Sequence, residues 1–233
     1  MKKLSSVIIF ALFANFASAQ FGLNAGYRVN EANKWKNYFE EQDFLKSGFT
    51  VGIDYWFRLK NKRIEFTPEL AFSSFKSDNV YLNVLPYLDV VSLKSQIYSL
   101  YFNTNIYFLD LENDCNCPTW GKSSDFLKKG LFLQVTPGLN YFQNSVENNV
   151  AGIEKANDIA FSIGAGLGFD IGISNMLTLS PIVSYHYYFN VTWEGLSKPL
   201  GGGNENDEAN ETTDIKQFYA GIRIGIRLDQ KNY

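Results

Sequence analysis

From Gln20 to the end, the chain alternates apolar with small or polar residues in steps of two, and it holds no apolar run approaching the ~20 residues of a membrane helix. A period of two belongs to pleated strands, whose side chains point to opposite faces in turn. Phe21, Leu23, Ala25, Tyr27 and Val29 alternate with Gly22, Asn24, Gly26 and Arg28. The pattern returns over 49–58, 64–73, 98–108, 131–141, 159–173, 179–189 and 218–228, which predicts eight strands. It is plainest in the sixth, where Ile159, Phe161, Ile163, Ala165, Leu167, Phe169 and Ile171 face away from Ala160, Ser162, Gly164, Gly166, Gly168, Asp170 and Gly172.

Alternation alone fits two closed sheets. In a soluble lipocalin-like barrel the apolar face points inward; in a membrane barrel it points to lipid. The size of the apolar set decides between them. The chain has 20 Phe, 14 Tyr and 4 Trp, with large side chains on the apolar face of nearly every strand, more than an eight-stranded interior holds. The expected fold class is therefore all-β, an eight-stranded antiparallel transmembrane β-barrel. Its smaller face becomes the lumen, where the glycines of the sixth strand leave space for bulky neighbours such as Trp56 or Tyr188.

Residues 1–19 read as an address. Lys2 and Lys3, an apolar stretch from Val7 to Phe16 and Ala17-Ser18-Ala19 have the order of a signal peptide cleaved before Gln20. Residues 20–233 then form the barrel domain, exported to the cell outer membrane. Without Lys2 and Lys3 the chain carries 19 basic against 24 acidic residues, a balance that gives a nucleic acid no hold. With both termini in the periplasm, 31–46, 77–93, 145–157 and 194–214 become outer connections, the last a mobile loop containing Gly201-Gly202-Gly203. The turns near Asn61 and at Ser174-Asn175 are short, as periplasmic turns should be. Residues 110–129, on the same side, form an unusually long periplasmic connection.

The order of these features, and the closing strand Tyr219-Ala-Gly-Ile-Arg-Ile-Gly-Ile-Arg-Leu228, resemble the PorT-like small outer-membrane β-barrels of Bacteroidota, with an OmpA-like or OmpX-like barrel. The resemblance covers the mature chain. Gln96 to Phe102 lacks the proline that many members place there, and the connection holding Cys115 is an addition to the pattern. Members include secretion-system components, so a role of that kind is one of those the resemblance allows, while what it implies is the barrel.

Few residues suit catalysis or metal binding: the chain has one His and two Cys. No cofactor, metal site or enzymatic activity is expected. Cys115 and Cys117 are open to a bridge with each other, capping after export, or a bond to a partner. Trp120 and Phe126, in the same connection, either anchor a periplasmic partner or fold back on the barrel mouth. Asp54, Arg58, Glu65, Glu69, Asp170, Arg223 and Arg227 fall on the lumen face and are expected to pair with one another, since charges removed from water need partners. Glu65 and Glu69 stand ~13 Å apart along one strand, too far for paired-carboxylate chemistry. His186 points inward near Ser184 and Tyr188, where a lipid-modifying rim enzyme would place it, although a lone lumen His is more often a packed hydrogen-bonder. The expected function is a structural or accessory subunit of an outer-membrane complex for secretion, assembly or uptake, in contact with outer-membrane lipid and a protein partner. The alternative is a stand-alone surface or transport barrel that binds ligands or passes small solutes.

Overall fold

The computed structural model describes residues 20–35, 45–59, 62–81, 90–109, 111, 130–148, 152–174, 176–196 and 211–227. Its strand segments form eight staves: β1 (Gln20–Ala32), β2 (Ser47–Tyr55, continued by Phe57–Arg58), β3 (Ile64–Tyr81), β4 (Val90–Ile106), β5 (Leu131–Asn148), β6 (Gly152–Phe169, continued by Ile171–Gly172), β7 (Leu177–Thr192) and β8 (Thr212–Arg227). Each pairs antiparallel with the next, and β8 closes on β1 from Gln20↔Arg227 to Ala32↔Ile215. A walk across the wall, Gly22↔Asp54↔Glu69↔Tyr101↔Gly138↔Ser162↔Tyr188↔Ile215↔Ala32, returns to β1 ten residues from its start. That stagger over eight strands tilts them by roughly 40°.

Burial follows the alternation. On β4, Leu100 is 53% exposed and Phe102 46%, while Tyr101 between them is 2% exposed. The apolar residues face outward and the small and polar ones inward. From Tyr98 to Phe108 the outward face is an apolar belt broken only by Thr104, ~33 Å along the strand and ~25 Å along the axis, the height of the lipid-facing band of a membrane barrel. The chain is an all-β, eight-stranded antiparallel transmembrane β-barrel.

Three prolines lie in this wall without breaking its register. Asp54↔Glu69 and Phe57↔Phe66 place Pro68 opposite Tyr55, where β2 is interrupted. Gly168↔Ile182 and Ile171↔Leu179 place Pro181 opposite Phe169, at the interruption of β6, and Pro137 faces a gap in the β4–β5 ladder. Proline has no N–H to donate, so each costs the ladder locally.

Past the belt, at what is here called the loop end, the phase inverts. Phe75, Leu93, Ile97, Phe142, Val146, Val191 and Ile215 point inward and are buried, while Lys76, Lys94 and Lys155 point outward. Here the wall is an ordinary soluble barrel with its apolar side in. β3, β4, β5 and β6 therefore run well past the limits read from the sequence: the strands reach Tyr81, start at Val90, reach Asn148 and start at Gly152, where 77–93 and 145–157 were expected to be connections. The turn at Ser174 is as short as expected, with Ile173 N–H donating to Leu177 O at 2.9 Å.

The glycines of β6 do leave room, but for other side chains than Trp56 or Tyr188. A Cβ on Gly164 would lie 2.6 Å from His186 Nδ1, and one on Gly168 2.1 Å from Phe132 Cζ. Gly168→Ala is expected to destabilise the barrel by about 1–3 kcal/mol through overpacking, and Phe132→Leu in the same chain to recover most of that loss. The urea midpoint of the gel-mobility change between folded and heat-unfolded barrel measures both.

β7 and β8 shift register between Thr213 and Ile215, where Asn190 takes the left-handed conformation (φ 49°). Its N–H donates to Asp214 Oδ1 at 2.9 Å, and Tyr187 O–H donates to Oδ2 at 2.6 Å. First the Asn190 N–H and then the Tyr187 hydroxyl hold the Asp214 carboxyl below the usual carboxylate range. A depressed carboxylate pKa contributes stability that is present above the unfolded value and lost as pH falls through the folded one. The Asn190 amide is therefore expected to be protected from hydrogen exchange at neutral pH and to lose protection on acidification below pH ~4, whereas in Asp214→Asn the protection should not change across that range.

Candidate functional site

The lumen is filled in successive layers. Nearest the turn end, Arg58 and Glu65 are register partners on β2 and β3. Arg58 Nε donates to Glu65 Oε1 at 2.9 Å, and Nη2 reaches the same oxygen. Tyr107 O–H stands 3.1 Å from Glu65 Oε2 and also bonds Asp170 Oδ2, so one hydroxyl links two carboxyl groups. Ser180 Oγ–H donates to the other Asp170 oxygen, and the Arg63 guanidinium lies 4.4 Å from the Tyr107 ring centroid.

In the next layer, Arg223 grips Asp54 with two parallel bonds, Nε to Oδ2 at 2.8 Å and Nη2 to Oδ1 at 2.6 Å. Asn24 Nδ2 adds a donor to Asp54 Oδ2 at 2.9 Å. Glu69 takes its hydrogen bond from Asn103 Nδ2 at 2.7 Å. One layer further, Arg28 donates to the hydroxyls of Tyr101 (3.2 Å) and Tyr188 (3.1 Å) and to Gln217 Oε1, and its guanidinium lies 5.0 Å from the Tyr219 ring centroid. The cation is held by neutral oxygens and aromatic faces. His186 is 2% exposed, bonded through Nε2 to Ser184 Oγ at 2.8 Å and packed 5.5 Å from the Tyr101 ring.

Above these layers lies an apolar plug. Trp35 and Trp193 meet edge to face at 5.4 Å, buried with Leu45, Phe75, Leu93, Phe142 and Leu196. The cavity left among the polar layers is about 20 Å³, room for about one water.

The structure thus divides the expected charge network. Asp54 pairs with Arg223; Arg58, Glu65 and Asp170 join through Tyr107; Glu69 stands with Asn103. The side chain of Arg227 and residues Cys115, Cys117, Trp120 and Phe126 lie outside the described residues. His186 lies inside the lumen and not on a lipid-facing rim. The sequence reading left Arg28 and Arg63 out of the network. Inward parity on β1 is the signal that finds Arg28; Arg63 precedes β3, where no alternation applies. Among the described residues, no group of three or more His, Cys, Asp or Glu is arranged to hold a metal ion.

A second feature lies at the loop end. Pairing of β6 with β7 begins at Ser162↔Tyr188, runs to Gly168↔Ile182 and resumes at Ile171↔Leu179, so among the described residues Gly152–Phe161 has ladder partners on the β5 side alone. Thr192 N–H reaches across this seam to Asp158 Oδ2 at 2.7 Å. Beside it opens a cleft of about 490 Å³ lined by Val146, Lys155, Ala156, Asn157, Trp193 and Glu194.

No protein-family model and no curated protein matches the chain. Among solved structures it is similar to a major outer membrane protein of Thermus thermophilus, with 13% identity over 90% of this chain and 100% of that one and a TM-score of 0.48. It is similar also to Ail, the attachment invasion locus protein of Yersinia pestis, in complex with the heparin analogue sucrose octasulfate (11%, 90% and 99%, 0.46). Neisserial surface protein A is a third (12%, 90% and 97%, 0.45).

Breaking a buried ion pair on one side leaves a charge without compensation, whereas removing both members is far milder. Asp54→Asn is expected to lower stability by about 3 kcal/mol, and Asp54→Asn combined with Arg223→Met to recover most of it, measured as urea midpoints in a detergent micelle.

Proposed function

We propose that the chain is an outer-membrane β-barrel that conducts no solute and serves as a structural or accessory subunit of an outer-membrane protein complex. The observation that carries this reading is the filled interior: among the described residues, charged layers around a cavity of about 20 Å³ and an apolar plug occupy the lumen. What remains for function is the outside of the wall and its two ends. In this reading the signal peptide is cleaved, the loop end faces outward, and the turn end lies in the periplasm with residues 110–129. The one-sided ladder of Gly152–Phe161 and its adjoining cleft suit an added extended segment of a protein partner. The resemblance to PorT-like barrels of Bacteroidota agrees with a subunit role. The reading assigns no catalytic step and needs no cofactor.

Purification from native outer membranes in mild detergent, with a tag in the Gly201-Gly202-Gly203 loop, is expected to yield a stoichiometric protein partner. The purified barrel in planar bilayers is expected to show no unitary current steps. A monomer that elutes alone and conducts would instead establish the stand-alone transport reading.

A further inference from the structure

The lateral register orders the outward side chains of β3, β4, β5 and β6 into rows. Leu70, Leu100, Leu139 and Phe161 form one; Phe72, Tyr98, Tyr141 and Ile159 form the next. Beyond them come Ser74, Gln96, Gln143 and Asn157, and then Lys76, Lys94, Ser145 and Lys155. The outer face thus passes from two apolar rows through a row of neutral polar side chains to a row dominated by lysines, the rows climbing obliquely because the strands tilt. Each lysine stands four residues past the belt residue of its own strand, ~13 Å along the strand and ~10 Å along the axis. That is the depth of the lipid headgroups when the belt fills the hydrocarbon.

The lysines are poorly neutralised. Lys76 and Lys94 are direct cross-strand partners, a like-charge pairing that disfavours the sheet unless an anion joins them. Lys76 Nζ has Asp78 at 3.0 Å, and Ser92 occupies the other Asp78 oxygen. Among the described residues, Glu147, one row beyond Ser145, is the other carboxylate on this face, and Lys94 and Lys155 have no ion-pair partner. These two lie in one row, two strand spacings apart, ~10 Å. On the belt side of the row Ser74, Gln96, Gln143 and Asn157, an open apolar groove of about 820 Å³ runs across the wall, bordered by Leu70, Phe72, Tyr98, Leu100, Tyr141 and Ile159.

We propose that this face is a binding site for an anionic lipid whose headgroup carries phosphate groups: Lys94 and Lys155 take the phosphates, aided by Lys76 and the Ser145 hydroxyl, and the acyl chains lie in the groove. A cation row, a polar row and an apolar groove in that order match an amphiphile with a charged head, a polar linkage and acyl chains. Neither a neutral lipid nor a soluble anion uses both parts. The site rests on the membrane reading of the belt.

The test uses the whole mature chain in nanodiscs of phosphatidylcholine, alone or doped with bisphosphorylated lipid A or its dephosphorylated form. Retained lipid is counted by mass spectrometry after exchange into detergent, and the thermal midpoint of the gel-mobility change is followed in the discs. The bisphosphorylated lipid is expected to be retained and to raise the midpoint, with the dephosphorylated form doing neither. Lys94→Gln with Lys155→Gln should weaken retention by about tenfold to thirtyfold, the worth of two lysines at an anionic surface. Lys62→Gln, at the turn end, should leave it unchanged. Equal retention by the double variant or of the dephosphorylated lipid overturns the site, as does full displacement by inorganic phosphate, which would mark a free-anion site. Failure to insert into any disc overturns the membrane reading itself, and the two failures are told apart by whether the folded barrel co-elutes with the discs.

Discussion

Every backbone N–H and C=O in a hydrocarbon layer must find a partner within the protein, and where no helix among the described residues is long and apolar enough to cross a membrane this leaves a sheet closed on itself. The β1–β8 pairing closes the sheet, and the rest of the structure follows from it. Closure at a stagger of ten fixes the tilt and a narrow lumen. The apolar side chains, too many and too large for that lumen, go outside. The lumen then receives what lipid would not accept, and each charge there needs a neighbour: Asp54 has Arg223, Glu65 has Arg58, and Arg28 has a group of tyrosines and Gln217. Even the prolines obey this constraint, because each interrupts one ladder locally while the register on both sides holds.

The same wall obeys opposite rules at its two levels. In the belt the large apolar residues face out, as Leu100 and Phe161 do; at the loop end Phe75, Leu93 and Val146 face in and close over the Trp35–Trp193 pair. The strands are continuous through the switch, so what changes is the medium. The inversion therefore marks where lipid gives way to water. It also explains why the lysines appear outward only beyond it, and why the interior is sealed twice, by paired charges and by an apolar plug.

Much of this was legible in the sequence, because a period of two needs no tertiary information. The strand count, the outward phase and the inward placement of Asp54, Glu65, Asp170 and Arg223 follow from parity alone. The strand ends at the loop side did not, since the apolar phase flips there: Phe75 and Leu93 fall on the face that is polar lower down, and a pattern reading stops where its phase fails. Parity also says which side chains face the lumen but not which of them meet. That depends on register, and register divided one expected network into three parts and placed Tyr107 between Glu65 and Asp170. The space left by Gly164 and Gly168 likewise went to His186 and Phe132, a pairing that sequence spacing does not reveal.

The central claim is that β4 presents its even-numbered residues to lipid and its odd-numbered ones to a filled lumen. Spin labels placed singly along 96–103, in a variant without Cys115 and Cys117 reconstituted in phospholipid bilayers, test it through collision with dissolved oxygen. Oxygen accessibility is predicted to alternate, high at Tyr98, Leu100 and Phe102 and low at Ser99 and Asn103. The opposite phase, or accessibility without a period of two, would contradict the account.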